Sequence, residues 1–368
     1  MSTIHKYVGL DVHKDTISIA VAEEGRSEPR SLKKIPSCGT QLLRILKRLG
    51  PLSMIVCAYE AGPTGYWLQR FLTKKGVRCQ VIAPSEVPIK PGRHVKTDRI
   101  DALALAKFLR SGDLTPITIP NEEIEAMRDL SRTRSDAKLV EKDAKKRLGA
   151  FLLRHKWINP FKTNWTGMHL DWVRKQKFGH EAQNIVLREY LSALEQTSAR
   201  VKRLAESLAT LSETCTLRPQ IKALRACRGI DTITAAGLMF ELVDLKRFPS
   251  APHRMSDLGL VPSEDSSGQK RRQGGITKAG NGEVRRLLVE AAHNNCRPPK
   301  VTFRLRKRQE GVSPEVIDIA WNAQERLYRK RLALFNRGKP KTCIVIAMAR
   351  ELAGFIWAIG QETRLVTN

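Results

Sequence analysis

Four acidic residues stand where the ends of separate elements can meet. Asp11 ends one apolar run, Glu60 ends another, and Asp98 and Asp101 open a helical pattern. Residues three apart share one face of a helix, so Asp98 and Asp101 can project into the same site. Crowded carboxylates repel unless divalent cations lie among them, and oxygen-rich sites suit Mg²⁺ or Mn²⁺. The set predicts metal-assisted phosphoryl transfer on nucleic acid. Taken alone, each aspartate is typical of a helix cap or a surface charge, and Asp98 would serve as an N-cap.

Two adjacent serines form a second candidate group. Ser266 and Ser267 precede Gly268 and the basic run that begins at Lys270, which predicts hydroxyls on a flexible loop beside positive charge. A serine placed there could attack phosphorus. Because an unassisted hydroxyl is a poor nucleophile and the sequence places no base beside it, spacing alone favours phosphate binding by a polar loop.

The elements that carry the acids predict a mixed sheet covered by helices. Residues 7–22 alternate in two β-branched runs hinged at His13 and Lys14, which is typical of an antiparallel hairpin. Residues 53–60 and 77–84 are apolar runs of the buried, parallel type. Helical patterns fall between and after these strands, at 41–49, 66–75 and 99–110. The first module is therefore predicted to be α/β.

Beyond Pro120 the sequence becomes mainly helical. A long basic helix is predicted over 121–156, and residues 155–172 interleave tryptophans with basic residues, a pattern that suits base stacking or the filling of a loop-rich core. Residues 181–213 have the spacing of a short coiled coil. Residues 224–242 predict a helical hairpin, either plain or able to present backbone N–H groups to a phosphate.

Composition narrows the class of protein. The chain has 65 lysines and arginines against 37 acidic residues, a formal net charge of +28, which favours a polyanion such as nucleic acid as partner. No unbroken apolar run of about eighteen residues and no signal or transit pattern is visible, so a cytoplasmic, nucleoid-associated location is expected. Seven scattered cysteines without CxxC spacing predict buried thiols rather than zinc or disulfides.

Five motifs together resemble the DEDD transposases of the insertion-sequence-110 family, which are bridge-RNA-guided recombinases. They are YVGLDVHKD around Asp11, YEAGPTGYW around Glu60, VKTDRIDALALA around Asp98 and Asp101, RGIDTITAAGL, and LGLVPSEDSSGQKRRQGGITKAGN. The resemblance runs over nearly the whole chain. It implies a RuvC-like, ribonuclease-H-like nuclease domain over 1–156, a linker and coiled coil over 157–216, and a mainly α transposase domain over 217–368.

The resemblance also implies roles for residues. The four acids would bind Mg²⁺ or Mn²⁺, and the serine that directly precedes a glycine, Ser267, would be the nucleophile, with Ser266 as the adjacent rival. Ser267 would form a phosphoserine link to DNA while the acids assist from the other domain, that of a partner subunit in a dimer or tetramer. A structured noncoding RNA would pair with donor and target DNA and so supply the specificity.

Two other classes of protein fit parts of the sequence. A RuvC-like endonuclease or junction resolvase would use water as nucleophile and the carboxylates alone. A non-enzymatic nucleic-acid-binding protein would need only the basic helices, but four acids in a phosphate-binding cleft then lack a purpose, because only a bridging metal makes them favourable there.

Overall fold

The computed structural model describes residues 4–88, 97–267 and 270–363, without the side chain of Arg271. Contacts divide the chain into two compact units, Met1–Ile119 and Pro120–Asn368, which are described separately below. The domain boundary predicted after residue 156 comes after the long helix Glu122–Arg154. The boundary between the two compact units, after Ile119, comes before that helix. The physical reason is that the helix packs on other helices of the second unit.

The first unit is a five-stranded mixed sheet with strand order β3-β2-β1-β4-β5. β1 pairs antiparallel with β2 and parallel with β4, as the predicted hairpin and parallel-type runs require. β3, which carried no prediction, is a mostly exposed edge strand. The elements are β1 (Lys6–Val12), β2 (Thr16–Glu23), β3 (Arg30–Pro36), α1 (Gly39–Leu49), β4 (Ile55–Glu60), α2 (Trp67–Lys74), β5 (Arg78–Ile82) and α3 (Asp98–Ser111).

Helices cover both faces of this sheet. Because side chains alternate along a strand, Val8 and Leu10 of β1 face the core shared with α1 and α2, while Tyr7 and Gly9 face α3. α3 lies very close to β1: a Cβ at Gly9 would stand 2.1 Å from the carbonyl oxygen of Ala102. The face that carries Gly9 is therefore the one on which α3 brings its residues to the sheet.

In the second unit, the described residues form helices and one β-hairpin. Its elements are α4 (Glu122–Arg154), α5 (Gly167–Arg174), α6 (Glu181–Ser212), α7 (Arg218–Leu224), α8 (Thr232–Leu242), α9 (Ala251–Asp257), β6 (Pro262–Ser267), β7 (Lys270–Ile276), α10 (Gly282–His293), α11 (Phe303–Gln309), α12 (Pro314–Asn336) and α13 (Lys341–Glu362). α13 is long and apolar enough to cross a membrane by length and composition alone, but half of its apolar window is buried in this unit.

The two longest helices run antiparallel. Glu123 near the start of α4 accepts hydrogen bonds from Thr216, beyond the end of α6, and Glu141 further along α4 accepts one from Ser198 at 3.0 Å. The helix predicted over 181–213 is present, and the pairing seen here is within one chain. The coiled coil predicted for this segment stays a prediction.

The tryptophan-rich segment packs at the far end of this helical pair. Trp157 stacks on Phe178 with ring centroids 4.1 Å apart, and Trp165 and Trp172 border the partly buried cluster around Phe151. Of the two alternatives drawn from the sequence, the structure favours the filling of a local core. The aromatic rings stabilise the turn between α4 and α6.

The predicted helical hairpin around residue 231 forms, but its second helix is already capped. The side chain of Asp231 accepts a hydrogen bond from the backbone N–H of Thr234 at 2.8 Å. The plain-hairpin alternative therefore fits this helix start better than a phosphate held by the same N–H groups.

The cysteines form no disulfide. All seven are free, and Cys57, Cys215 and Cys227 are buried as predicted. Cys343 is exposed, so the prediction of buried thiols was wrong there. It lies in the first turn of α13, where one side of the helix faces away from the core.

Candidate catalytic site

Two of the predicted acids end neighbouring strands of the first unit. Because side chains alternate along a strand, Asp11 lies on the same face of β1 as Tyr7 and Gly9. Glu60 lies on the same face of β4 as Val56 and Ala58. Both faces are turned toward α3. β1 and β4 are parallel with Leu10 paired to Tyr59, which places both carboxylates at the same edge of the sheet. Side-chain alternation and parallel strand pairing together bring these two acids, which are distant in sequence, close in space.

The other two acids lie in the first turn of α3. Asp98 and Asp101 are its first and fourth residues, on one face as the spacing predicts. The cap is Thr97, whose hydroxyl accepts from the N–H of Ile100 at 3.4 Å, so Asp98 does not have the N-cap role considered from the sequence. Buried Ala102, Leu105 and Ala106 fix the helix on the sheet and hold its first turn at the strand ends.

All four acids line one cavity of about 880 Å³. The turn after β4 closes one side of it, where Tyr59 donates a hydrogen bond to the carbonyl of Gly65 at 3.2 Å. Trp67, at the start of α2, adds an aromatic wall. The cavity is open enough to admit a phosphodiester and is built entirely from residues of the first unit.

Asp11, His13 and Asp98 form one group of close contacts in the cavity. His13 Nε2 lies 3.1 Å from Asp11 Oδ2 and 3.6 Å from Asp98 Oδ1. The three residues offer ligand atoms that all lie within 4.8 Å of one another, the arrangement expected of a metal site. Lys34 of β3 donates a hydrogen bond to the other oxygen of Asp98 at 2.7 Å. Glu60 and Asp101 complete the lining beside this group.

The pKa values of Asp11 and Asp98 are shifted in opposite directions. Burial raises the pKa of Asp11, the charges of Asp98 and Asp101 raise it further, and His13 opposes them. The hydrogen bond from Lys34 lowers the pKa of Asp98. Four carboxylates and an imidazole line this cavity, a donor set that fits a hard divalent cation, and the nitrogen ligand extends the fit to Mn²⁺. A cation there would relieve the repulsion that burial makes costly.

The candidate serines lie in the second unit, on the β6-β7 hairpin. The prediction of a flexible loop was wrong for the described part: Glu264 pairs with Gln273 and Asp265 with Arg272 in antiparallel register. Strand-poor residues form this hairpin because opposite or hydrogen-bonding side chains face each other across it. Gly268 and Gln269, part of the predicted loop, lie outside the described residues.

Both hydroxyls are exposed, and they differ in their neighbours. Ser266 donates a hydrogen bond to Glu264 Oε1 at 3.0 Å. Ser267 ends β6 and pairs with Lys270, the first residue of β7. No base beside the serines was identified from the sequence. In the structure, the Glu264 carboxylate accepts the hydrogen bond from Ser266 and could act as one.

Comparison with known proteins links both units to one family. Residues 8–156 match the DEDD transposase model of the IS110 group, described as a transposase, and residues 221–304 match the model described as Transposase IS116/IS110/IS902 family. A putative transposase of Sinorhizobium fredii is 42% identical, covering 98% of this chain and 90% of the relative. The transposase for insertion sequence element IS1533 of Leptospira borgpetersenii is 31% identical, covering 91% and 97%. The chain belongs to the IS110 family of insertion-sequence transposases. It is thus an enzyme that cuts and joins DNA, of a family whose DEDD members are typically metal-dependent.

The candidate site contains two residues that sequence reasoning missed. His13 was taken only as the hinge of the hairpin, although it stands two residues after Asp11. Lys34 lies on the edge strand β3, which was not predicted because its sequence has no apolar pattern. The sequence signal for His13 was a metal-binding residue type beside a strand-end aspartate, whereas no local signal could place Lys34 beside Asp98.

Proposed function

We propose that this transposase is an RNA-guided recombinase that cuts and joins DNA through Ser267, assisted by a divalent-cation site of Asp11, Glu60, Asp98 and Asp101. The observation that supports it most is the convergence of the four acids, from two strand ends and one helix, on a single cavity. The exposed serine beside basic residues of β7 supplies the second reactive group.

The serine step is a transesterification. The Ser267 hydroxyl oxygen bonds to the phosphorus of a DNA phosphodiester, and the bond between that phosphorus and one deoxyribose oxygen breaks. The hydroxyl proton leaves to a base, and the released deoxyribose oxygen takes up a proton. Attack by a deoxyribose hydroxyl of another strand reverses the step and joins DNA without an external energy source. Ser266, with the Glu264 carboxylate as a ready proton acceptor, is the rival nucleophile.

The residues of the cavity prepare it for a phosphate. A divalent cation supplies Lewis-acid polarisation of the phosphodiester when bound. His13 holds Asp11 and Asp98 on either side of its Nε2 atom, and Lys34 offers a positive charge within reach of a phosphate oxygen. We propose that this cavity acts on a serine supplied by another subunit of a homo-oligomer, dimer or tetramer.

The proposed partners are donor DNA, target DNA and a structured noncoding RNA at the nucleoid. The net charge of +28 supports binding of several polyanionic strands at once. If base pairing with RNA selects the DNA, the protein needs to hold backbones only, and its affinity falls steeply as salt rises.

The deciding experiment is denaturing electrophoresis of the protein with Mg²⁺, the candidate flanking-sequence RNA and labelled donor DNA. We expect a covalent protein–DNA band that Ser267→Ala abolishes and the matched Ser266→Ala retains. The reverse pattern assigns the nucleophile to Ser266 and contradicts the choice of Ser267. Omitting the RNA should remove the band, and a band of equal strength without RNA contradicts RNA guidance.

A metal-dependent endonuclease without a serine intermediate is the second candidate. It is favoured by one observation, that the first unit alone supplies every acid of the cavity. This candidate predicts free cleaved DNA that persists in Ser267→Ala and in Ser266→Ala but disappears in Asp11→Ala. A covalent band lost in one serine variant excludes it.

A further inference from the structure

A second cavity, of about 760 Å³, lies in the second unit and is strongly basic. It is bordered by the turn before α8, the end of α10 and the first half of α11. Its charged and titratable lining residues are Arg228, Asp231, His293, Arg297, Arg304 and Arg308. Four guanidinium groups thus face one aspartate, and that aspartate is already engaged as the cap of α8.

Two of the arginines are held by backbone carbonyls. Arg228 donates to the carbonyls of Arg297 and Pro298 at 3.3 and 2.7 Å, and Arg308 donates to that of Ile230 at 2.8 Å. The Nε–H of Arg308 is buried and has no hydrogen-bond partner among the described residues. Burial lowers the pKa of both guanidinium groups, which remain cationic at neutral pH. These contacts fix two positive charges in the wall of the cavity.

The other two arginines are available to a ligand. Arg297 and Arg304 are exposed, and the described part of the chain contains no ion pair with either. Thr302 and Asn294 add neutral polar groups to the lining. Two fixed and two available cations within one cavity match an anion with several charged groups, such as a run of phosphodiesters.

An exposed aromatic residue lies between two lining residues in the sequence. Phe303 follows the lining residue Thr302, precedes Arg304, and has 83% of its surface exposed. Its helix is firmly placed: Leu305 is buried, and Gln309 donates to the carbonyl of Ala226 at 3.2 Å. The exposure of Phe303 is therefore built into an anchored helix. An exposed phenyl ring offers a flat apolar face on which a nucleic-acid base can stack.

We propose that this basic cavity binds the backbone of an unpaired nucleic-acid strand and that Phe303 stacks on one of its bases. Cations that follow the phosphates and an aromatic ring for a base are the two features by which proteins hold single strands. Duplex DNA fits less well, because its bases are already stacked inside the helix. DNA and RNA share this chemistry. The site is separate from the carboxylate cavity, and the proposal stands whether or not Ser267 is the nucleophile.

Crosslinking tests the proposal directly. Short single strands that contain thio-substituted thymidine or uridine are bound to the full chain in EDTA, so that no cleavage occurs, and irradiated. Mass spectrometry of the crosslinked peptides should place a base on the peptide that contains Phe303. The DNA and RNA arms show which strand is preferred. Crosslinks confined to other peptides in both arms overturn the proposal.

Affinity measurements supply the matched comparison. Phe303→Leu should weaken single-strand binding by roughly tenfold, the effect of losing one stacked base, and leave duplex binding unchanged. Phe335→Leu, which alters another exposed phenylalanine in a basic helix outside the cavity, should change neither. Arg304→Gln should lower the slope of log affinity against log salt by about 0.7 for a single strand. Equal effects of the two phenylalanine variants, or an unchanged salt slope, contradict the assignment.

Discussion

Asp11 and Ser267 both stand at the end of a strand, but their strands are supported differently. β1 is the central strand of the five-stranded sheet and is paired on both sides, by β2 and β4. β6 is paired with β7 alone, and its last five residues are exposed. A cation site needs several oxygens at fixed separations, which a central strand provides. The proposed nucleophile, in contrast, lies on an exposed strand, where a phosphate could reach it.

The base of the hairpin is tightly packed. At its base, a Cβ at Gly280 would stand 2.0 Å from the carbonyl oxygen of Asp257, and one at Gly259 would stand 2.3 Å from backbone atoms of Ala279. Arg285 donates to the carbonyl of Leu258 at 3.2 Å and also to that of Ala279. Each unit therefore has tightly packed glycine contacts near its proposed catalytic residue. The two units differ in how the strand that carries this residue is paired.

The largest expected effect is on activity at the carboxylate cavity. Asp11→Asn keeps the shape of the side chain and removes its charge, so DNA cleavage should fall roughly 10²–10³-fold. Because burial and neighbouring acids disfavour the charge of Asp11, the thermal stability of the metal-free protein should not fall. The measurements are cleavage rate and thermal unfolding. Asp15→Asn, an exposed aspartate in the same hairpin turn, is the control. Full activity in Asp11→Asn would remove Asp11 from the chemistry.

The next effect tests the base of the serine hairpin. Gly280 has φ +68° and no room for a Cβ, so Gly280→Ala should destabilise the second unit by about 2–4 kcal/mol and suppress the covalent band. Gly275→Ala, within β7, meets no described atom within 4 Å and should change neither. Chemical unfolding and denaturing electrophoresis report the two quantities. If both variants behave alike, the base of the hairpin does not position the serine.

A smaller effect tests the matching contact in the first unit. Gly9→Ala forces α3 away from β1, which should cost about 1–3 kcal/mol and separate Asp98 and Asp101 from Asp11. Hydrogen exchange should increase in β1 and α3 while peptides of the second unit keep their protection. Gly167→Ala, at an open helix start, is the control. Unchanged protection of α3 would show that the strand tolerates the methyl group.

Sequence patterns predicted the parts of this molecule that depend on apolar periodicity. The strands ending at Asp11 and Glu60, and the helix starting near Asp98, follow from alternating or continuous apolar runs, and chain geometry then brings the acids to one edge. The β6-β7 hairpin was missed because its stability comes from cross-strand polar pairs such as Asp265 with Arg272, which leave no apolar pattern.

The same limit explains the missed neighbours of the acids. Lys34 reaches Asp98 across sixty-four positions of sequence, through the antiparallel register of β3 on β2, and register is a tertiary property. His13 was close in sequence, but its role depends on the position of α3. The sequence shows which residues neighbour the four acids along the chain. It does not show that His13 and Lys34 contact Asp11 and Asp98 in space.

The smallest expected effect concerns Lys34, which contacts an acid of the carboxylate cavity. Its ammonium group occupies an oxygen of Asp98 that a cation would need, so Lys34→Gln should lower the half-saturating Mn²⁺ concentration by about two- to fivefold. Mn²⁺ binding followed by calorimetry measures this without catalysis. Lys33→Gln, its exposed neighbour on β3, should leave binding unchanged. If Lys34→Gln weakens Mn²⁺ binding instead, the lysine supports the carboxylate geometry rather than competing with the cation, and the cavity depends on β3 as much as on α3.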